Sequence, residues 1–184
     1  MSARRPSSSD AAPSNVVRDP AGGADHRELA RALIDALRAR GLHVATAESC
    51  TGGGIAAAIT DIAGSSDVFE CGFVTYSNAA KSRMLGVDGA LIAACGAVSE
   101  DIARAMADGA RVQSGARCAV AVTGVAGPGG GTPAKPVGMV CFGYALPDHP
   151  ATSETCHFSG DRAAVRSAAV GHALDAMLRQ LDRL

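Results

Sequence analysis

Ser49 and Lys81 are the residues whose types and setting best suit covalent chemistry. A serine hydroxyl is a weak nucleophile near neutral pH and needs a base within hydrogen-bond reach. A lysine serves as that base only where burial or a nearby cation keeps its amine neutral. Lys81 is one of two lysines in the chain, the other being Lys135 in a glycine-rich segment. Tyr76, shortly before Lys81, carries a hydroxyl able to pass a proton or orient the amine. The turn Glu48-Ser49-Cys50-Thr51 runs into Gly52-Gly53-Gly54, and backbone N–H groups around Thr51, Gly52 and Gly53 are suited to holding the oxyanion of a tetrahedral intermediate.

Each of these residues has a plainer reading. Ser49 also suits the cap of a following helix, Lys81 a solvated charge, and Tyr76 a core ring with a wet hydroxyl. Glu48 suits either pairing with a cation or fixing the turn. Cys50 is a rival nucleophile, although no histidine lies near it in sequence to ionise it. His26, His43, His149, His157 and His172 fall in ordinary helix, strand or loop patterns. Cys50, Cys71, Cys95, Cys118, Cys141 and Cys156 show no C-x-x-C spacing, so reduced thiols are expected, and no metal-ligand set.

The elements that must position these groups follow from hydrophobic period. Leu42–Ala47 is an apolar run of strand length, and Ile55–Ile62 is helix-like. That order of strand, polar-glycine turn and helix favours an anion over the turn. Val68–Tyr76 is a second strand, delivering Tyr76, Ser77, Asn78 and Lys81 at its far end, where open α/β sheets carry functional groups. Before these, Asp25 and Glu28 resemble a capping box, and Leu29, Leu33 and Leu37 share a helix face until Gly41.

Downstream, Asp88–Cys95 reads as a short helix. Ser99 caps another, with Ile102, Ala103, Met106, Ala107 and Ala110 inward and Gly115 as its stop. Arg117–Thr123 is a strand covered on both faces, and Thr123–Gly138 is a shaped glycine- and proline-dense loop of a length that is more often functional than connecting. Val137–Leu146 and Thr152–Phe158 read as strands, the latter at an edge. Asp161 caps a long helix with Val165, Ala169, His172, Ala173, Ala176 and Met177 inward and Arg162, Arg166, Asp175, Arg179 and Arg183 largely outward. Helix and strand alternate, then strands pair directly, which predicts an α/β fold: a three-layer α/β/α sandwich with a mixed, mostly parallel sheet.

At 184 residues with 47% hydrophobic content the chain suits a single domain, assigned here to residues 25–184. Residues 1–24, rich in Ser, Pro, Ala and Arg, are expected to be a disordered leader. A net charge of −1 without a dense basic block argues against a nucleic-acid surface. The chain carries neither an uninterrupted spanning run nor a secretory core, so membrane partners are not expected and a cytoplasmic location is.

The segments TAESCTGG, DIAGSSDVFECGFVTYSNAAKSRMLGV, GAVSE, VTGVAGPGGGTPAKPVG and FSGDRAAVR resemble the CinA C-terminal domain family, from about residue 26 onward. The activity characterised in that family is hydrolysis of the carboxamide of nicotinamide mononucleotide to nicotinate mononucleotide and ammonia. The resemblance places its serine and lysine on Ser49 and Lys81 and its tyrosine on Tyr76. It also implies a nucleotide substrate, no cofactor, and a homo-oligomer of α/β/α subunits. With that substrate, Thr51, Asn78, Thr123, Gly124 and Arg162 are the expected phosphate and ribose contacts, alongside the amides of Gly52 and Gly53. One departure stands out: the family often has an acidic residue where this chain has Gly129. A nucleotide-binding regulatory module without turnover, in a competence or DNA-damage response, is the rival reading.

Overall fold

The computed structural model describes residues 25–184; the expected leader, residues 1–24, lies outside them. Helix α1 spans His26–Ala39 and begins at Asp25, whose carboxylate accepts from the Arg27 N–H at 3.1 Å. Its stripe of Ala30, Leu33, Ile34 and Leu37 is fully buried. Strand β1 (Val44–Glu48) follows, then α2 (Gly54–Thr60), a 3-10 turn at Ser65–Asp67 and β2 (Phe69–Val74). Three helices come next, α3 (Asn78–Leu85), α4 (Gly89–Cys95) and α5 (Glu100–Ser114). The chain ends with β3 (Cys118–Gly124), β4 (Met139–Ala145), β5 (Thr152–His157) and α6 (Arg162–Leu181).

The five strands form one sheet in the order β2-β1-β3-β4-β5. β1 pairs in parallel with both β2 and β3, whereas β3–β4 and β4–β5 are antiparallel. The sheet is therefore mixed and evenly divided, not mostly parallel as the element order predicts. A parallel neighbour requires a crossover, which α2 and then α3 to α5 supply. After β3 the chain has no helix before β4 or β5, so each return reverses its direction. Among the described residues, no helix is long and apolar enough to cross a membrane.

The two faces of the sheet are built differently. One presents Val44, Val120, Val122, Val140, Phe142 and Tyr144 to α1, α2 and α6; the other presents Ala45, Ala47, Ala119, Ala121 and Ala145 to α3, α4 and α5. Small residues let α5 lie close on the second face. A Cβ added at Gly143 would stand 2.1 Å from the Ala103 carbonyl oxygen, and one at Gly109 2.1 Å from that of Leu85. This is the structural use of a composition rich in alanine and glycine. Gly143→Ala is expected to destabilise the fold by about 1–3 kcal/mol through overpacking, seen as a lower urea midpoint at unchanged slope.

β1 is the pivot of this layout. The chain leaves it towards β2 by a helix on one face and comes back to β3 on its other side by helices on the opposite face. The carboxyl end of β1 is thus a topological switch point, where open α/β sheets form their crevice.

Candidate functional site

Ser49 follows β1 directly and is still tied to β3, its N–H donating to the Val122 carbonyl at 3.0 Å. At the end of β2, Thr75 donates its N–H to the Glu48 carbonyl at 2.8 Å. Ser77 then caps α3 by accepting from the Ala80 N–H at 3.1 Å. Helical side chains lean towards the N-terminus, so Lys81 reaches back over the first turn of α3. Its Nζ lies 3.0 Å from the Thr75 carbonyl oxygen and 3.1 Å from Ser49 Oγ. Two residues 32 apart in sequence thus meet, Lys81 at 1% exposure and Ser49 at 9%.

Burial pushes the Lys81 amine below the ordinary lysine range, against a smaller opposing pull from the Cys50 thiol. In its neutral form the amine donates one N–H to Thr75 and accepts the Ser49 hydroxyl proton on its lone pair. That is the geometry general-base activation requires. Cys50, the rival nucleophile, is pushed up to about 11 by burial, with the Cys50 and Thr51 N–H groups pulling the other way. It remains a protonated thiol at neutral pH.

The helix-cap reading of Ser49 gives way to Glu48. Helix α2 starts at Gly53 with φ 96° and no side-chain cap of its own. The fully buried Glu48 carboxylate instead accepts from the N–H groups of Gly53 and Ile55 at 3.0 Å and of Ala56 at 2.8 Å. The expected anion over this helix end is therefore an internal carboxylate. Gly52 donates its N–H to the Ser49 carbonyl at 3.1 Å, so two of the three amides expected to hold an oxyanion have acceptors within the turn.

Tyr76 is 59% exposed, and its hydroxyl accepts from Arg162 Nη2 at 2.8 Å, while Arg162 Nη1 donates to the Gly127 carbonyl at 3.0 Å. Arg166, read from the sequence as an outward residue, is half-buried and donates to the Thr51 carbonyl at 2.8 Å. Its position four residues after Arg162, one turn along the same face, is the signal that could have found it. Arg166 Nε and Thr51 Oγ1 are buried without a hydrogen-bond partner among the described residues. Both arginines line a cleft of about 650 Å³ with Gly127, Pro128, Val137 and Asp161.

The other expected contacts scatter more widely. Asn78 is exposed at the start of α3. Thr123 is buried, and its hydroxyl donates to the Ala97 carbonyl at 2.7 Å, binding the end of β3 to the link before α5. Gly124 is the last residue of β3, where a Cβ would come within 2.8 Å of the Met139 carbonyl oxygen. Lys135 Nζ donates to the Cys95 carbonyl at 2.6 Å and so ties the long loop to the end of α4. A Cβ at Gly129 would meet nothing within 4 Å, so this departure leaves open space.

The fold and site together define an α/β protein with a serine–lysine pair buried at the switch point of its sheet. The model of the CinA C-terminal domain matches residues 26–181, and the chain belongs to that family. It is 54% identical over 151 residues to nicotinamide-nucleotide amidohydrolase PncC of Pseudomonas putida, covering 82% of this chain and 94% of that protein. A CinA-like protein of Mycolicibacterium gilvum is 53% identical over 154 residues, but there the chain spans only 36% of the relative's length. Among solved structures, competence/damage inducible protein CihA from Agrobacterium tumefaciens superposes with a TM-score of 0.83 at 47% identity, covering 87% of this chain and 97% of that one.

Proposed function

We propose that this protein hydrolyses the carboxamide of nicotinamide mononucleotide, giving nicotinate mononucleotide and ammonia, with Ser49 as nucleophile. The observation that carries the reading is the contact of 3.1 Å between a buried lysine amine and Ser49 Oγ. Identity to a nicotinamide-nucleotide amidohydrolase over most of both chains supports the choice of substrate.

Neutral Lys81 takes the Ser49 proton as Oγ attacks the amide carbon. The oxyanion is held by amides of the turn, with Thr51 ahead of Gly52 and Gly53 because theirs already have acceptors. The C–N bond then breaks and ammonia departs with the proton held by Lys81. Water attacks the resulting ester, giving one proton to Lys81; Ser49 recovers that proton as the acid leaves, and the acid loses its own proton to solvent to become the carboxylate. Tyr76, its hydroxyl held by Arg162 at the rim, is assigned to passing the proton from Lys81 to the departing ammonia, and neither a metal nor a cofactor takes part.

In this reading Arg162 and Arg166 face the substrate phosphate in the cleft, with Thr51 and Asn78 towards the ribose; Thr123, whose hydroxyl is given to the Ala97 carbonyl, and Gly124, paired with Val140, are not among the contacts. Arg162→Ala is expected to raise KM for the mononucleotide about 10–100-fold, the range of one lost charge-assisted contact. KM for the unphosphorylated nucleoside should stay within a factor of about two, which steady-state assays of the two substrates compare. Because Lys81 must be neutral, kcat/KM should fall about tenfold per pH unit below its folded pKa, and the midpoint should lie under the ordinary lysine value. A pH–rate profile of the wild-type protein gives that midpoint.

The overall test measures ammonia from the mononucleotide, with Ser49→Ala alongside. Ligand binding in calorimetry without ammonia would favour the regulatory module instead. A cytoplasmic location agrees with six thiols outside any disulfide. Self-association into a homo-oligomer is expected, with light scattering as its measure.

A further inference from the structure

At the sheet edge away from β2, Glu154 and Cys156 stand two residues apart on β5 and so share a face. Their strand partners are Phe142 and Val140, whose side chains belong to the layer under α6. From α6, His172 descends onto the same spot, its ring centroid 4.5 Å from that of Phe142 and 5.9 Å from that of Phe158. Nε2 lies 2.9 Å from Glu154 Oε1 and 3.4 Å from Cys156 Sγ, and the three donor atoms fall within 4.8 Å of one another.

A thiol, an imidazole and a carboxylate invite comparison with a hydrolytic relay, but the connectivity is wrong. A relay places nucleophile and acid on opposite ring nitrogens. Here both meet Nε2, and one nitrogen has a single proton or a single lone pair to offer. Convergence of three unlike donors on one point is instead the arrangement that surrounds a cation.

We propose that Glu154, Cys156 and His172 form a binding site for one divalent, thiolate-tolerant transition-metal ion of the zinc class. Tetrahedral zinc with bonds of about 2.0–2.3 Å to nitrogen, oxygen and sulfur separates its ligands by roughly 3.3–3.6 Å. The nitrogen–sulfur distance already fits, and the nitrogen–oxygen distance needs to open by a few tenths of an ångström. On binding, the ion displaces a proton from Cys156 to solvent and takes the lone pair of neutral His172, whose remaining proton sits on Nδ1. Thiolate and carboxylate then balance the double positive charge, so a half-buried site carries no net charge.

The supporting shell is present too. The buried Tyr144 donates its hydroxyl to Glu154 Oε1 at 2.8 Å, and the aromatic rings fix the imidazole. The Glu154 side chain is 41% exposed and that of His172 12%, which leaves an entry path and a fourth position for water. Such an ion would staple β5 to α6.

The test uses the whole chain stripped with a chelator and titrated with Co²⁺, then with Zn²⁺ against a chromophoric competitor. One equivalent of Co²⁺ should give a near-ultraviolet sulfur-to-cobalt band, and Zn²⁺ should displace it and raise Tm. Cys156→Ser should abolish the band and weaken Zn²⁺ binding at least about tenfold. Glu154→Gln, which keeps the thiol, should keep a sulfur band while weakening affinity, and it stands in if the serine variant does not fold. A wild-type chain with no band and no thermal shift at stoichiometric metal, or variants that bind as well as wild type, would overturn the site.

Discussion

Lys81→Met is expected to lower kcat for release of ammonia from nicotinamide mononucleotide by about 10²–10⁴-fold while leaving the fold as stable as wild type, or more so, at pH 7. The two halves share one cause. Lys81 is 1% exposed, and burial holds its amine below the ordinary lysine range. A proton therefore binds the unfolded chain more readily than the folded one. Below the folded pKa the buried ammonium subtracts from stability in full, and the penalty fades as pH rises from the folded towards the unfolded value. Methionine fills the same space without a charge, so its advantage should be largest below the folded pKa of Lys81 and shrink as pH rises towards the ordinary lysine value. Thermal melts across pH, beside an ammonia assay, read both halves. A variant that melts well below wild type at pH 7 would mean that the amine contributes net stability, contrary to a strained, functional lysine.

Glu48→Ala is expected to destabilise the domain by roughly 3–5 kcal/mol, a large share of the margin of a typical fold. The carboxylate accepts from Gly53, Ile55 and Ala56, and no other side chain caps α2. Removing it leaves three N–H groups without their acceptor at the start of a seven-residue helix packed on β1 and β2. Glu48→Gln should fall between the two. Its oxygen keeps the pair formed with Gly53 and Ile55 while its amide nitrogen opposes the Ala56 N–H, a loss of about 1–3 kcal/mol. Chemical denaturation of the three proteins gives the order directly. Since Ser49 is the next residue, kcat should fall in the same order even where the fold survives. An alanine variant within about 0.5 kcal/mol of wild type would show that water replaces the carboxylate.

Periodicity carried most of the architecture. The inward stripe of α5, Ile102 to Ala110, and the covered strand β3 lie where their patterns put them, because a face that meets the core must repeat at the element's own period. Strand direction was less legible, because a run such as Val140–Ala145 is apolar whichever way it points; only the missing crossover before it reveals the reversal. The meeting of Ser49 with Lys81 is a long-range fact that no local spacing contains; two strand ends delivering them to one end of the sheet pointed to the pair, and the family resemblance placed its serine and lysine on the same residues. Of the two readings of Glu48 the structure bears out the fixing of the turn, while Arg166 was missed as a site support for a related reason. An arginine on a helix is an ordinary solvated charge until the chain folds it onto Thr51. His172 looked like a core histidine, and its ring does pack on Phe142 and Phe158. Its remaining edge meets a strand whose register with β4 had to be known first.

The central claim is that Ser49 forms the covalent bond. Acid-quenching the wild-type protein during turnover of nicotinamide mononucleotide, with digestion and peptide mass spectrometry, tests it most directly, and a parallel run with hydroxylamine captures an ester too short-lived to accumulate. The expected result is an ester of nicotinate mononucleotide on the peptide carrying Ser49, or the corresponding hydroxamate in the parallel run, both absent from Ser49→Ala. An adduct on Cys50 instead, or turnover that continues in Ser49→Ala without any adduct or hydroxamate, would contradict it.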